Sequence, residues 1–285
     1  FGASGAAGAF LSPLLGKPND FKDLIAKSLI FSTNFYKNLS EDLISNCGVC
    51  RIPKNGEDRD KFESYKPYMD FKYTQMDDGY FFEIGSQVTP SLICEKLTKD
   101  IEKKLSYNVI KLEQNENSTW IINDEICAKN IILTTGADVK HIKEDYFDIR
   151  GVWGQKIDVS TTTETKINYH KECSVSKASK IENTKFFKVS IGATHHKFDC
   201  DKNICNYCIE TANINACSRC YNDSIINNDS AKLIALANDI IKLENVEVID
   251  VKIGARASSN DYFPMIGKLV DSKKSIEKYP HLLNG

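Results

Sequence analysis

Apolar side chains recur at helical spacing in three parts of the chain. After the turn at residues 17–20, they return every three or four positions, which predicts a helix over residues 20–38. Thr89 and Pro90 place a proline in the first turn of a second helix, whose apolar face extends to Leu105. A third helix is predicted over residues 229–242.

The segments between these helices predict strands. Residues 80–84 predict one strand, and three more follow the second helix at residues 108–112, 119–123 and 130–134. The last of these is fully apolar and enters a small-residue turn, which is typical of a parallel sheet covered on both faces. Beyond residue 150, alternating segments predict an antiparallel sheet, whose strands we place at residues 152–160, 166–170, 186–194 and 246–257.

Composition and charge narrow the class of protein. The 285 residues are 41% hydrophobic and 27% charged, which excludes a disordered, collagenous or coiled-coil chain. The net charge of −2 gives no overall positive field, so a nucleic acid or an anionic membrane would have to bind a local patch. No apolar run approaches the about 18 residues of a membrane span, and no membrane partner is predicted.

Half of the ten cysteines lie between Cys200 and Cys220. Two C-x-x-C pairs there predict a structural tetrathiolate zinc site, with the ligands Cys205, Cys208, Cys217 and Cys220. An iron–sulfur cluster and thiols without metal are the alternatives, and Cys200 could replace one ligand. This clustering favours a cytoplasmic protein over a disulfide framework. Cys47 and Cys50 form a third pair without a partner pair, which we interpret as structural.

The chain begins with a run of small residues. Gly2, Gly5 and Gly8 recur at every third position, which does not match the dinucleotide fingerprint. Such a run is typical of a flexible or closely packed backbone. It also lets backbone amides and Ser4 approach a phosphate, and both interpretations stay open.

Five segments together resemble the FAD-dependent oxidoreductases of the D-amino-acid oxidase and glycine oxidase type. They are GASGAAGAFLSPLLGK at 2–17, DGYFFEIGSQVTPSLICEKL at 78–97, IILTTGAD at 131–138, IRGVWGQ at 149–155 and GARASSNDYFPMIG at 254–267. The resemblance covers nearly the whole chain apart from the cysteine-rich insertion. The first, second and last segments are most similar to the members that act on tRNA, in making 5-methylaminomethyl-2-thiouridine.

The resemblance implies an α/β (α+β) fold: a truncated FAD/NAD(P)-binding Rossmann-like domain with an antiparallel β-sheet substrate domain. The family's glycine-rich pyrophosphate turn is absent, so we expect a fragment that is inactive alone. The implied FAD-binding parts are residues 1–48 and 86–148. The implied substrate-domain parts are residues 49–85 and 149–257 with the insertion at 199–223, and residues 258–285 return toward the FAD-binding domain.

The resemblance also implies site residues. Its FAD would contact Gly2, Ser4, Gly5, Ala6, Val109, Ile110, Thr135, Gly136 and Ala137. Its substrate carboxylate would pair with Arg256, because a guanidinium binds a carboxylate in a two-pronged geometry. The alternative for Arg256 is a solvated surface group. Trp153, Gln155 and the pair at residues 195–196 are weaker candidates for substrate contact.

Three functions remain open at this point. The first is an FAD-dependent oxidoreductase that oxidises the C–N bond of an N-substituted glycine, in the closest resemblance the carboxymethylaminomethyl group of a tRNA wobble uridine. The second is an oxidase or dehydrogenase for a free amino acid such as glycine or sarcosine. The third is a zinc-stapled module that binds RNA or protein without catalysis. The sequence gives no oligomeric state.

Overall fold

A computed structural model describes residues 2–6, 8–139, 141–142, 144, 146, 149–197 and 221–281. The chain divides into two compact units, each discontinuous in sequence. The first unit comprises Phe1–Leu97, Val152–Phe198 and Ser218–Ala255. The second comprises Thr98–Gly151, Asp199–Cys217 and Arg256–Gly285.

Six α-helices occur in the described residues. They are α1 at Gly2–Ala6, α2 at Asp20–Leu39, α3 at Gly56–Tyr65, α4 at Pro90–Leu97, α5 at Asp223–Asn238 and α6 at Ser272–Lys278. The predicted first helix is confirmed within one residue, because the side chain of Asn19 accepts a hydrogen bond from the backbone N–H of Lys22 and caps α2. Among the described helices, none is long and apolar enough to cross a membrane.

A sheet of nine strands dominates the described strands, in the order β15-β10-β14-β12-β11-β3-β5-β4, with β13 paired to β14. Its pairings include the antiparallel pair β10 and β14 and the parallel pair β11 and β3. Its members are β3 at Val49–Arg51, β4 at Thr74–Met76, β5 at Gly79–Phe82, β10 at Ile149–Thr161, β11 at Asn168–His170, β12 at Ser174–Val175, β13 at Ser179–Lys180, β14 at Phe187–Gly192 and β15 at Glu247–Ser259.

Two small sheets complete the described strands. In the first unit, β6 at Ser86–Val88 lies between β1 at Phe10–Leu11 and β2 at Ile44–Ser45. In the second unit, β8 at Trp120–Ile122 lies between β7 at Leu112–Gln114 and β9 at Ile126–Ala128. Both sheets are antiparallel.

The nine-stranded sheet has one apolar face in the first unit. Successive side chains of a strand point to opposite faces, so Ile157 and Val159 of β10 share a face with Val189 and Ile191 of β14. All four are fully buried, and Leu233 of α5 packs into the same core. Helix α5 therefore covers this face, and the antiparallel pairing that the alternating pattern predicted is present between β10 and β14.

The second predicted helix is shorter than expected. Helix α4 ends at Leu97, and the side chains of Ile101 and Leu105 are 59% and 82% exposed. A short amphipathic segment gains little from helix formation alone and needs its apolar face to be packed. Because the described part of the chain leaves these two side chains largely exposed, the predicted extension to Leu105 is wrong.

Two predicted strands of the second unit are also wrong. Residues 130–134 form no strand, and the side chain of Ile132 is 86% exposed, so the parallel pairing inferred from this apolar run is absent. Residues 108–111 are not extended in a sheet either, since the backbone N–H groups of Ile110 and Lys111 donate to the side chain of Asn123. The run was apolar enough for a buried strand, but a strand also needs a neighbour to pair with.

Candidate functional site

The second face of the nine-stranded sheet is polar in the first unit. The residues that alternate with the core positions are Lys156, Asp158 and Ser160 of β10, Ser174 of β12 with the following Ser176, and Lys188, Ser190 and Gly192 of β14. We call this set the polar face. Burying polar side chains against a sheet costs free energy unless they form hydrogen bonds or ion pairs. The arrangement of the polar face therefore points to a functional site.

A buried ion pair lies at the centre of the polar face. The Nζ atom of Lys156 is 2.9 Å from Oδ1 of Asp158, and their side chains are 10% and 7% exposed. The hydroxyl of Ser190 donates to the same carboxylate at 2.5 Å. Burial alone would raise the pKa of Asp158, but the hydrogen bonds from Ser190 and Lys156 outweigh it and lower that pKa. Asp158 is therefore ionised at neutral pH.

Two glycines make room for the Lys156 side chain. A Cβ atom on Gly192 would lie 3.0 Å from Cγ of Lys156, and a Cβ on Gly8 would lie 3.4 Å from its Cδ. These close approaches place the aliphatic stem of Lys156 between the N-terminal segment and β14. The small-residue run is thus packed against the polar face at Gly8.

A cavity of about 500 Å³ opens on the polar face. We call it the lysine cavity, because its lining includes Lys156, Lys177, Lys188 and Lys252. Gly5 and Gly8 of the N-terminal segment, the start of α4 and the acids Glu41, Asp42 and Asp158 also line it. The structure therefore brings part of the proposed cofactor loop to a cavity that contains charged side chains.

The remaining residues of that loop lie in α1. Gly2, Ser4, Gly5 and Ala6 all belong to this short helix. A Cβ on Gly254 of β15 would lie 3.0 Å from Cα of Ala3 and 3.0 Å from Cβ of Ala6. The small residues thus allow β15 and α1 to approach closely, which supports the packing interpretation of the run.

A second cavity, also of about 500 Å³, lies within the second unit. We call it the Thr135 cavity. Thr135 and Gly136 line it together with Ser258, Ser259 and residues 262–265, so two segments that the resemblance places at the cofactor and the substrate share one cavity. Gly136 has a φ of +66°, and no atom lies within 4 Å of the position of a Cβ there.

The chemistry of the Thr135 cavity suits a flat uncharged ring. Its lining residues are all uncharged, and they include the aromatic side chains of Tyr262 and Phe263. This lining fits the ring system of a flavin but supplies no cation for a pyrophosphate. Thr135 and Gly136 are therefore the residues of this unit that would contact such a ring.

Four other predicted site residues lie elsewhere in the second unit. Ala137 follows the same turn and is buried. The carbonyl oxygen of Val109 is 2.9 Å from Nε2 of His141, and Ile110 is exposed. Arg256 lies near the C-terminal end of β15 and is half-buried. None of these four lines the Thr135 cavity.

The weaker candidates form a structural cluster in the first unit. Gln155 is fully buried, and its side-chain amide donates to the carbonyl of Ile226 and the hydroxyl of Ser230 in α5. The Nε2 atom of His196 lies 2.8 Å from Oδ2 of Asp229, which also accepts from Thr194 and Tyr221. The hydrogen bonds from Tyr221, Thr194 and His196 lower the pKa of Asp229 against the opposing effect of burial. These contacts join the sheet to α5.

The cysteines divide into described and undescribed groups. Cys205, Cys208, Cys217 and Cys220 lie outside the described residues, so the zinc site stays a prediction. Within the described part of the chain, no group of three or more His, Cys, Asp and Glu residues could hold a metal ion. Burial, followed by the nearby charge of Asp77, raises the pKa of Cys50 to about 11, which leaves this thiol protonated and unreactive.

Sequence reasoning missed Lys156, Asp158 and Ser190. The signal was present, because charged or hydroxyl residues alternate with Ile157 and Val159 in β10 and with Val189 and Ile191 in β14. The pairing register, which sets Asp158 opposite Ser190, could not be read from either strand alone.

Comparison with known proteins identifies the fold. No family model matches the chain, and no curated protein matches its sequence. Among solved structures, glycine oxidase from Geobacillus kaustophilus aligns over 95% of this chain and 76% of its own, with 13% identity and a TM-score of 0.67. The chain has the fold of this oxidase.

Two further solved structures agree. Iminodiacetate oxidase from Chelativorans sp. BNC1 aligns over 94% of this chain and 77% of its own, with 14% identity and a TM-score of 0.63. Fructosyl amine:oxygen oxidoreductase from Aspergillus fumigatus aligns over 94% of this chain and 70% of its own, with 10% identity and a TM-score of 0.62. The predicted α/β fold class is confirmed, and at these identities the likeness concerns the fold.

Proposed function

We propose that this chain belongs to an FAD-dependent oxidoreductase that oxidises the C–N bond of an amino acid carrying a free or substituted amine. The observation that carries the proposal is the fold, which is shared over nearly the whole chain with oxidases named for glycine, iminodiacetate and fructosyl amine. The Thr135 cavity supports it, because its uncharged lining suits a flavin ring.

The proposed cofactor contacts follow the resemblance. Thr135 and Gly136 would hold the ring system of FAD, whereas Ala137 is proposed from the resemblance alone. Gly2, Ser4, Gly5 and Ala6 would contribute small side chains and backbone amides. Val109 and Ile110 are proposed from the resemblance alone. When bound, FAD supplies an acceptor for the two electrons and the hydrogen that leave the carbon beside the amine.

The substrate would be held by its carboxylate. We assign this role to Arg256, whose guanidinium can donate two parallel hydrogen bonds to a carboxylate. Loss of hydride next to a neutral amine requires little acid or base from the protein, so binding and orientation are the main tasks of the chain. The resulting imine is hydrolysed by water.

For the substrate itself, two classes are open. The resemblance favours the carboxymethylaminomethyl group of a tRNA wobble uridine, which would release its glycine carbons as glyoxylate. The names of the solved structures favour a small free amino acid such as glycine or sarcosine. A zinc-stapled binding module without catalysis is the alternative from another class.

One experiment tests the function and separates the substrate classes. The protein that contains this chain is purified, its absorption spectrum is recorded, and glyoxylate is measured after incubation with glycine, with sarcosine and with tRNA carrying the carboxymethylaminomethyl group. Flavin bands near about 370 and 450 nm and glyoxylate from at least one substrate are expected. Protein that shows no flavin bands as purified, and none after incubation with FAD and removal of the unbound FAD, contradicts the proposal and favours the binding module.

A further inference from the structure

Strand β15 lies at one edge of the nine-stranded sheet. Among the described strands it pairs with β10 alone, so its other side faces no strand of the described chain. Its first residues are exposed, with Val248 at 36% and Ile249 at 47%, whereas Ile157 and Val159 of β10 are fully buried. An open strand edge presents unpaired N–H and C=O groups, which can pair with a strand of another chain.

Edge strands are commonly protected against such pairing. Prolines, unopposed lysines and a short strand length are among the usual means. Strand β15 is 13 residues long and contains no proline. Its first half carries one lysine, Lys252, whose Nζ atom lies 3.4 Å from Oδ2 of Asp250. This acid balances the charge of the lysine, so neither proline nor an unopposed charge protects the edge.

The side chains of β15 alternate between the two faces of the sheet. Val251 packs against the apolar core beside α5, whereas Lys252 lines the lysine cavity on the polar face. Because successive side chains of a strand point to opposite faces, Ile249 and Ile253 share the face of Val251, and Asp250 shares the face of Lys252. We call residues 249–253 the edge segment. It presents three branched apolar side chains on one face and one acid and one base on the other.

The edge segment is complementary to a second copy of itself. When two identical strands pair antiparallel about a two-fold axis perpendicular to the sheet, each face of one sheet continues into the same face of the other. With the axis at Val251, Asp250 of each copy lies opposite the partner's Lys252, and Ile249 lies opposite the partner's Ile253. Apolar pairs and oppositely charged pairs that lie directly opposite each other stabilise antiparallel strands. Every pair of the edge segment is therefore favourable in this register.

The two neighbouring registers are less favourable. With the axis at Asp250, two carboxylates lie opposite each other, and with the axis at Lys252, two ammonium groups do. Like charges directly opposite each other destabilise a pair of strands. An axis between two residues would set side chains of the polar face opposite side chains of the apolar face. The charge pattern thus selects the register centred on Val251.

We propose that the edge segment joins two copies of this protein into a symmetric dimer, in which the two nine-stranded sheets are continuous. A second copy is the partner that the observations favour, because the acid and the base of the edge segment match their own sequence read in the opposite direction. The inference is independent of the proposed function, since it involves neither the cofactor nor the substrate.

Charge reversal followed by mixing tests the dimer. The protein that contains this chain is purified, and its mass in solution is measured by analytical ultracentrifugation over a range of concentrations, because mass action governs self-association. The wild type is expected to dimerise. Asp250→Lys and Lys252→Asp each create two like-charged pairs at the interface, so each should self-associate at least about tenfold more weakly.

An equimolar mixture of the two variants should form the dimer again. One copy then carries lysine at both positions and the other carries aspartate at both, so each of the two interface pairs joins opposite charges. The ion pair within the chain is broken in both variants and stays broken in the mixture. Recovery of the dimer therefore reports on the contact between copies.

A matched control reverses the same charges in another ion pair. Glu57 and Lys61 of α3 are exposed, with Oε1 and Nζ 2.7 Å apart. Glu57→Lys and Lys61→Glu should each dimerise within about twofold of the wild type. Since exposed ion pairs contribute little to stability, all four variants should keep the fold, which circular dichroism checks. A wild type that stays monomeric, edge variants that dimerise like the controls, or a mixture that stays monomeric would each overturn the inference.

Discussion

Arg256 is the residue on which the proposed chemistry depends most. If its guanidinium holds the substrate carboxylate, Arg256→Ala should lower kcat/KM, which corresponds to an activation free energy that is higher by about 2–5 kcal/mol. The flavin spectrum should stay unchanged. Arg256→Lys should recover part of the activity, because an ammonium keeps the charge but loses the two-pronged geometry. Steady-state turnover of each substrate measures this. A loss below about threefold in Arg256→Ala would place the arginine outside the site.

The buried pair of Lys156 and Asp158 supports a second prediction. Asp158→Asn removes the partner of a buried cation and should destabilise the fold by about 3 kcal/mol. Lys156→Met/Asp158→Asn should recover much of this loss, because no unpaired charge remains. The measurement is the unfolding free energy in urea of the wild type, both variants and Lys156→Met, which together form a double-mutant cycle. A double variant no more stable than Asp158→Asn would show that the charge of Lys156 is compensated elsewhere.

The same pair fixes the sign of a pH dependence. Because the folded state lowers the pKa of Asp158 below its ordinary value near 3.8, the unfolded state binds the proton more tightly. The stabilisation is therefore complete above about pH 5 and is lost as the pH falls through the folded-state pKa. The difference in unfolding free energy between wild type and Asp158→Asn should shrink correspondingly below pH 4.

At the scale of single residues, the sequence indicates which residues are candidates for a site, but not which other residues they contact. Thr135 and Gly136 were placed at a cofactor by resemblance, and in the structure they line a cavity with uncharged lining residues. Lys156 was not singled out, because a lysine between apolar residues is usually a solvated side chain. Its significance comes from contacts with Gly8 and Gly192, which are distant in sequence.

At the scale of elements, helix α5 supports a third prediction. Leu233 is fully buried against the apolar face of the sheet, so Leu233→Ala leaves a cavity and should cost about 2–5 kcal/mol of unfolding free energy. The neighbouring Lys232 is exposed on the same helix, and Lys232→Ala should change stability by less than about 0.5 kcal/mol. Thermal or urea unfolding compares the two. Similar losses would mean that α5 is stabilised by helix propensity instead of packing.

Elements were predicted well where their signal is local. Helix α2 is defined by its cap at Asn19, and β10, β14 and β15 are defined by alternation, so all four were located. Helix α4 and residues 130–134 failed because their outcome depends on what covers the apolar side chains. Whether an apolar side chain is buried depends on the whole fold. A periodic pattern indicates only that burying that side of the element would be favourable.

At the scale of the molecule, the cysteine-rich insertion supports a fourth prediction. We expect about one equivalent of zinc per chain in protein purified without chelator, since a structural tetrathiolate site is close to full occupancy. Cys208→Ser/Cys217→Ser should abolish it. Cys127→Ser removes a free exposed thiol and serves as the control. Elemental analysis showing less than about half an equivalent of any metal in the wild type would contradict the site.

The sequence predicted the fold class, but not how the strands are divided between the two units. Residues 149–161 and 247–259 read as ordinary strands, yet each begins in one compact unit and ends in the other. No local pattern marks such a crossing, because the same alternation serves both units. The resemblance supplied the architecture that periodicity could not.

The close approach of Gly254 to Ala3 and Ala6 has a consequence for biosynthesis. The helix made first by the ribosome within this chain finds its packing partner only after about 250 further residues have been translated. Pairing over such a separation is slow, and the growing polypeptide must keep a small apolar segment uncommitted meanwhile. A run of glycine and alanine can stay unpacked during this period, because it exposes little hydrophobic surface to chaperones or to neighbouring nascent chains.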